Sequence, residues 1–183
     1  MHNVAVLVGS LRHGSNSIKL ARALEKLGAG SFAFRYPDLD LPLYNEDLWK
    51  EPPLSVLRMK KDIETADAVL FVTPEYNRSI PPVIKNAIDW GSRPWGQSSW
   101  TAKPTGIVGS SGGSIGSAAA QAHLRSIVIP LQMILMGQPE VYFVFKPDAI
   151  DEQGEVADES ARIFFKGYLD RFSTWIDATG KRG

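Results

Sequence analysis

The chain has 183 residues, a length typical of one domain and sufficient to bury an apolar core without disulfides or structural metals. It contains no cysteine, which excludes disulfides, thiolate catalysis and cysteine-ligated zinc or iron–sulfur centres. Its 20 basic residues balance 20 acidic ones, and this neutral charge argues against nucleic-acid binding. No apolar run approaches the roughly 18 residues of a membrane span, and no leader pattern precedes the first predicted strand. We therefore expect one cytoplasmic domain over residues 1–183 that binds neither nucleic acid nor membranes.

Short apolar runs alternate with amphipathic segments along the whole chain. The first run, at residues 4–8, is a predicted buried strand, and a polar loop separates it from a helix at 17–27. A second strand at 31–36 leads through an irregular, acidic, proline-containing loop to a helix at 54–65. The next three predicted strands lie at residues 68–72, 105–108 and 141–145. The helices that follow these strands are predicted at residues 81–91, 117–129 and 159–176.

The apolar side of the last helix is predicted to carry Ile163, Phe164, Tyr168, Phe172 and Trp175. Five strand–helix units without a break in composition predict an α/β fold, in which a parallel sheet has helices on both faces. In such sheets ligands bind outside the carboxyl ends of the strands. The polar loops after the first, third and fourth strands are therefore the candidate site.

The loop after the first strand, GSLRHGSNS at residues 9–17, has the composition of an anion-binding loop. Its hydroxyls and the following helix N-terminus favour a phosphate, and Arg12 can add a charge-assisted contact. Gly9 and Gly14 have the spacing of a nucleoside-triphosphate loop, but Ser15 and Asn16 follow where that loop has lysine and Ser or Thr. The loop therefore favours a single phosphate. The alternative is that these residues only cap the helix.

The loop after the fourth strand, GSSGGSIGS at residues 109–117, contains the Gly-x-Ser-x-Gly pattern of a hydrolase nucleophile elbow. A hydrolase needs an acid and then a histidine after the serine, but no acidic residue lies between Ser111 and His123. His123 also falls inside the helix that the elbow would begin, so a surface or interface residue is the better interpretation. No histidine pair or histidine–carboxylate cluster predicts a metal site.

Three motifs in order, GSLRHGSNS, TPEYNRSIPPVIKNAIDW at 73–90 and GSSGGSIGS, resemble those of the NADPH-dependent FMN reductase family. These flavodoxin-like enzymes include chromate and quinone reductases and some azoreductases. The resemblance covers residues 3–177 and is most specific in the middle motif. It implies a three-layer αβα fold with a five-stranded parallel sheet in the order 2-1-3-4-5.

The resemblance also implies an FMN-dependent NAD(P)H oxidoreductase that passes hydride through FMN N5 to quinones, chromate or related small acceptors. FMN is then the cofactor, NADPH or NADH is the co-substrate, and no side chain or metal is catalytic. One alternative is a flavodoxin-like electron carrier without its own nicotinamide site, and a less favoured one is a serine hydrolase. A typical carrier is strongly acidic, so the neutral charge of this chain favours the enzyme.

The family's site residues carry over to all three loops. Around the FMN phosphate the resemblance places Ser10, Arg12, Ser15, Asn16 and Ser17. Along the ribityl chain and ring it places Pro74, Glu75, Tyr76 and Asn77, with Ser79 nearby. On the other side of the ring it places Ser110, Gly112, Gly113 and Ser114. The family commonly has Ser-x-Asn in the first loop, whereas here the asparagine directly follows the serine and a serine takes the usual asparagine place.

Assembly and nucleotide contacts are further implications. Members of this family commonly form homodimers or homotetramers, and Arg125 and Glu140 resemble residues of tetramer contacts. A solvated or intramolecular pair is the alternative for these two residues. Arg12 and Arg78 are candidate contacts for the 2′-phosphate of NADPH.

Overall fold

The central sheet of the computed structural model contains six parallel strands within residues 1–180, the part of the chain that the structure describes. The strands are β1 (His2–Val8), β2 (Phe32–Arg35), β3 (Ala68–Thr73), β4 (Pro104–Ser111), β5 (Ile134–Leu135) and β6 (Val141–Val144). The sheet order β2-β1-β3-β4-β5 confirms the predicted order. The last three residues of the predicted domain, 181–183, lie outside the described residues.

Two short strands share the position beside β4. Strand β5 pairs with the beginning of β4, at Pro104 and Thr105, and β6 pairs with its end, from Val108 to Ser111. The predicted fifth strand at 141–145 corresponds to β6, whereas the two-residue β5 was not predicted. The five positions of the predicted sheet are therefore present, and the fifth is divided between β5 and β6. Two residues are too few to produce a periodic pattern, so the sequence gives no sign of this division.

Of the five α-helices in the described chain, four connect strands and the fifth follows β6. They are α1 (Asn16–Leu27), α2 (Leu54–Thr65), α3 (Pro82–Gly91), α4 (Ala118–Val128) and α5 (Glu159–Thr179), and a 3₁₀-helix at Glu46–Lys50 lies in the loop after β2. The residue that precedes the helix caps two of the α-helices. The Ser15 side chain accepts a hydrogen bond from the backbone N–H of Ser17 in α1, and the Asp158 side chain accepts one from the N–H of Ala161 in α5. In α3, prolines 81 and 82 occupy the start, where a missing N–H costs little.

The sheet lies between two apolar layers. Val4 and Val6 of β1 pack on one face with residues of α1 and α5, whereas Ala5 and Leu7 pack on the other face with residues of α2, α3 and α4. None of these four side chains is exposed, which explains why residues 4–7 of β1 are all apolar rather than alternating. This arrangement confirms the predicted three-layer αβα fold.

The buried face of α5 differs from the predicted one. It consists of Phe165, Tyr168, Leu169, Phe172 and Ile176. Ile163 and Phe164, which were predicted to be on this face, are 63% and 44% exposed. Residues 163–165 are all apolar, so the sequence did not show which of them lies on the buried face. Only Phe165 has helical spacing from all the buried residues that follow it, Tyr168, Leu169, Phe172 and Ile176.

No helix among residues 1–180 is both long enough and apolar enough to cross a membrane.

Candidate functional site

Three loops meet at the carboxyl edge of the sheet. Strand β1 pairs with β3, and β3 pairs with β4, so the first loop (residues 9–15), the second loop (74–81) and the third loop (112–117) leave the same edge. These loops and the adjoining residues of α1 and β4 carry every predicted site residue. The first two loops touch at Gly9, where a Cβ atom would lie 2.7 Å from Cδ1 of Ile84 and 2.8 Å from Cδ of Pro74. Glycine permits this close approach.

The start of α1 has the properties of an anion site. The Oγ atom of Ser15 accepts a hydrogen bond from the Ser17 N–H at 3.2 Å, and both serines are 2% exposed. The N–H groups of Ser15, Asn16 and Ile18 have no acceptor within residues 1–180. No acidic residue lies in the first turn of α1, so nothing there offsets the positive end of the helix dipole. Open N–H groups at such an end fit a phosphate.

Arg12 lies on the exposed side of the first loop. Its Nη2 atom donates to the Gly14 carbonyl at 3.2 Å, and its backbone N–H donates to Oγ of Ser10 at 3.4 Å. Gly14 itself has a φ of 66°, which favours glycine. Beside this loop is an open cavity of about 380 Å³, whose lining includes Ser10, Arg12, Gly14, Arg22, Tyr36, Asp38 and Glu152. The first loop therefore offers a guanidinium close to the open start of α1.

The second loop ends in a tight turn. The N–H of Tyr76 donates to the Ser79 carbonyl at 3.0 Å, and the N–H of Ser79 donates back to the Tyr76 carbonyl at 2.8 Å. Asn77 and Arg78, the two central residues, have φ values of 47° and 64°. Two left-handed central residues are typical of a type I′ turn. The turn leaves the Tyr76 ring 54% exposed at the edge of the sheet.

The Glu75 carboxylate is engaged by protein groups on both oxygens. Its Oε2 atom accepts hydrogen bonds from the N–H groups of Ala119 and Ala120, at 3.1 and 3.2 Å. Its Oε1 atom lies 3.0 Å from Nη1 of Arg78, and the Glu75 side chain is only 8% exposed. Helix α4 obtains no side-chain cap from the preceding Ser117, which has a left-handed φ of 73°. Sequence reasoning missed this cap, because it joins residues that are 44 and 45 positions apart.

Ser79 forms a second contact between the second loop and α4. Its Oγ atom lies 2.7 Å from Nδ1 of His123, which is an exposed residue as the sequence predicted. Ser111, the nucleophile of the hydrolase alternative, instead uses its Oγ as an acceptor for the Gly113 N–H at 3.2 Å. The residues that a hydrolase would pair are therefore bonded elsewhere, and the serine hydrolase alternative loses its support.

The third loop presents exposed glycine backbone. A Cβ atom on Gly112 would meet no atom within 4 Å, and one on Gly113 would meet only Oγ of Ser111, at 3.6 Å. The Gly112 N–H has no acceptor among the described residues, and Ser114 is exposed. Ser110 differs from these residues, because it is 1% exposed and its Oγ has no hydrogen-bond partner there. Its hydroxyl lies beneath the edge rather than on it.

These observations fit the phosphate and the flat ring of FMN. The open N–H groups of α1 and the Arg12 guanidinium match a monophosphate, and the space above Gly112 admits a planar ring close to a free backbone N–H. Within residues 1–180 there is no group of three or more His, Asp or Glu side chains that could hold a metal ion.

Arg125 and Glu140 form an ion pair within the chain. Nη2 of Arg125 lies 3.3 Å from Oε1 of Glu140, and the two side chains are 18% and 31% exposed. Burial raises the pKa of nearby Tyr142, and hydrogen bonding to Glu140 raises it further. Arg125 and Glu140 thus pair within one chain, which was the alternative to a contact between subunits.

Comparisons with known proteins give matches over most of the chain. A family model described as NADPH-dependent FMN reductase matches residues 2–148. The chain is 45% identical to a 2-hydroxy-1,4-benzoquinone reductase of Burkholderia sp, over 94% of this chain and 95% of the relative. It is 46% identical to a quinone reductase of Pseudomonas putida, over 96% of this chain and 95% of the relative.

Solved structures show the same similarity. FerB of Paracoccus denitrificans, a flavoenzyme NAD(P)H:(acceptor) oxidoreductase, is 47% identical and superposes with a TM-score of 0.96. The match covers 99% of this chain and 100% of FerB. A flavodoxin of Pseudomonas aeruginosa is only 18% identical, with a TM-score of 0.58 over 96% of this chain and 99% of the flavodoxin, and its similarity concerns the fold alone.

Proposed function

The chain belongs to the NADPH-dependent FMN reductase family, as a match over residues 2–148 and relatives at 45% and 46% identity show, and we propose that quinones are its electron acceptors. It is an FMN-dependent NAD(P)H oxidoreductase. The quinone proposal is supported by the relatives, since one is named a 2-hydroxy-1,4-benzoquinone reductase and another a quinone reductase. Bound FMN would supply the redox chemistry between NAD(P)H and the acceptor, and the residues of the three loops would hold it in place.

The first loop and α1 bind the phosphate in this proposal. The open N–H groups at the start of α1 donate to the phosphate oxygens, with Ser10, Arg12, Ser15, Asn16 and Ser17 around them. Ser15 and Ser17 are buried, and their contact with each other holds the start of the helix in shape. This open helix N-terminus is the observation that carries the proposed FMN site.

The second and third loops enclose the ring. The proposed contacts on one side come from Pro74, the backbone of Glu75, Tyr76 and Asn77, with Ser79 nearby, and on the other from Ser110, Gly112, Gly113 and Ser114. The exposed Tyr76 side chain shields the ring from water, and the free Gly112 N–H donates a hydrogen bond to its polar edge. Ser110 lies beneath the edge, and its buried hydroxyl has no hydrogen-bond partner among the described residues.

Five finer points complete the proposal. Chromate is a further acceptor, the enzyme is cytoplasmic, residues 1–183 form one domain, and the chain assembles as a homodimer or homotetramer. Arg12 and Arg78 are the proposed contacts for the 2′-phosphate of NADPH, since both are exposed arginines of the site loops. Light scattering on the purified protein measures the assembly, and a monomer at micromolar concentration would contradict that part.

The function is tested by adding FMN to the flavin-free protein and mixing the complex anaerobically with NADPH or NADH. We expect bound flavin absorption, its loss on reduction by a nicotinamide nucleotide, and its return on addition of 1,4-benzoquinone. Failure to bind FMN would overturn the proposal. Binding without reduction by either nucleotide would support the electron-carrier alternative, and reduction without reoxidation by the quinone would contradict the acceptor class.

A further inference from the structure

The Glu75 side chain joins the second loop to the start of α4, and it does not point into open space. Oε2 accepts from the Ala119 and Ala120 N–H groups, Oε1 faces Arg78, and the side chain is 8% exposed. A carboxylate at a helix N-terminus is stabilised both by the N–H groups and by the helix dipole. Because Ser117 provides no cap of its own, Glu75 is the side chain that caps α4.

The start of α4 is in turn fixed against the sheet. A Cβ atom on Gly109, near the end of β4, would lie 2.5 Å from the Thr73 carbonyl oxygen of β3 and 3.0 Å from Nε2 of Gln121 in α4. The same Gln121 nitrogen donates to the Val141 carbonyl of β6 at 2.7 Å. The start of α4 is therefore held against β4 and β6, and the Glu75 contacts attach the second loop to it.

A second side chain of the same loop holds the same face of α4. Oγ of Ser79 lies 2.7 Å from Nδ1 of His123, which follows Ala119 by four residues and Ala120 by three. Residues at these separations are neighbours on a helix surface. Glu75 directly precedes the Tyr76–Ser79 turn and Ser79 is its last residue, so the turn is anchored to α4 at both ends.

We propose that Glu75 is a positioning residue, whose carboxylate caps α4 and thereby sets the distance between the second and third loops. The consequence for FMN rests on the proposed function. The gap between the second and third loops, where the ring would lie, is set before the flavin binds. The Glu75 carboxylate does not contact the ring. The capping itself does not depend on FMN. A carboxylate that touched the ring would instead change the flavin redox potential when its charge is removed.

Amide hydrogen exchange of the flavin-free protein tests the cap. Relative to the unchanged chain, Glu75→Ala should speed exchange at Ala119 and Ala120 by roughly tenfold, the equivalent of a lost helix cap. Glu75→Gln retains an acceptor oxygen and should keep most of the protection. Arg78→Ala is the matched control, because it removes the ion-pair partner but leaves both N–H contacts, and it should leave exchange at these residues unchanged. Equal exchange in all four proteins would overturn the proposal.

The flavin-bound variants distinguish positioning from direct contact. We expect Glu75→Ala to weaken FMN and riboflavin binding by the same factor, roughly tenfold, because the loss concerns the gap for the ring and not the phosphate. Glu75→Gln should bind both flavins with nearly the affinity of the unchanged chain, and the midpoint potential of its bound flavin should equal that of the unchanged chain. A potential that shifts equally in Glu75→Gln and Glu75→Ala would overturn the proposal in favour of direct contact. If the unchanged chain bound no FMN, the proposed function would fail while the exchange result still decided the cap.

Discussion

Arg12 has the position to distinguish a phosphate from the rest of the flavin. Its guanidinium donates to the Gly14 carbonyl beside the open N–H groups of α1, and no acidic residue lies in the first turn of the helix. A phosphate bound there would replace a neutral acceptor with a charged one, which forms a stronger hydrogen bond. The contribution of Arg12 should therefore appear with FMN and not with riboflavin, which lacks the phosphate.

We predict that Arg12→Ala raises the Kd for FMN at least tenfold, since a hydrogen bond to a charged group contributes about 1.5–3 kcal/mol. The Kd for riboflavin should change little. Fluorescence titration of both flavins measures the ratio. Arg58→Ala, which removes an exposed arginine of α2, is the charge-matched control and should affect neither value. Equal losses for the two flavins would mean that Arg12 does not bind the phosphate.

The close approach of the first and second loops requires that Gly9 has no side chain. A Cβ atom there would lie 2.7 Å from Ile84 Cδ1, 2.8 Å from Pro74 Cδ and 2.9 Å from Pro81 Cγ. All three atoms belong to the second loop or the start of α3. A substitution would therefore push the second loop away from the first.

We predict that Gly9→Ala lowers the free energy of unfolding by about 1–3 kcal/mol, the usual cost of overpacking, and weakens FMN binding as well. Gly167→Ala is the matched control, because Gly167 lies inside α5 with no atom within 4 Å of a Cβ position. That change should stabilise the protein by about 0.5–1 kcal/mol. Denaturant unfolding measures both variants, and an unaltered stability of Gly9→Ala would refute the close contact.

At the scale of elements, a buried lysine attaches the loop after α3 to α2. Nζ of Lys60 donates to the Gln97 carbonyl at 2.9 Å, to Oγ of Ser99 at 2.8 Å and to the Gly91 carbonyl at 3.2 Å. Ser99 donates onward to Oε1 of Glu64 at 2.6 Å. Burial lowers the pKa of Lys60, and the Glu64 charge partly opposes this shift.

The lowered pKa of Lys60 gives a signed pH dependence. Between the folded-state pKa and the ordinary value of 10.5, the unfolded chain binds more protons than the folded chain. The free energy of unfolding should therefore rise with pH across that window through Lys60, and Lys60→Met should remove this part of the rise. Urea unfolding from neutral pH to about pH 10 measures the slope, with the exposed Lys61→Met as control. Identical slopes in the unchanged chain and Lys60→Met would contradict the prediction.

The sequence predicted the elements with strong patterns and failed where pairing or phase depended on distant residues. Strand β3 and helix α2 were evident because every residue of the strand is buried and the helix has an apolar period. Strand β5 has two residues and exists only because β4 offers a pairing edge beside it. In α5, Phe165 is buried in the core whereas the neighbouring Ile163 and Phe164 are exposed, and local periodicity did not distinguish these three residues.

At the scale of the whole molecule, the sheet order brings the polar loops together. The predicted order placed β1, β3 and β4 side by side, and the structure confirms it, so the three motifs share an edge. The sequence therefore predicted which loops lie together at this edge. It did not predict the bonds between them, such as Glu75 to α4 and Ser79 to His123, because these depend on the folded positions of elements about 44 residues apart.

The location of the FMN site is the central claim, and backbone amide chemical shifts on titration of the flavin-free protein with FMN test it most directly. We predict that the largest shifts fall in residues 9–18, 74–81 and 110–117, with the amides of Asn16 and Gly112 among the most affected. Riboflavin should shift the second and third loops but leave the start of α1 nearly unchanged. Shifts concentrated elsewhere, for example in the loop at residues 92–103, would contradict the account.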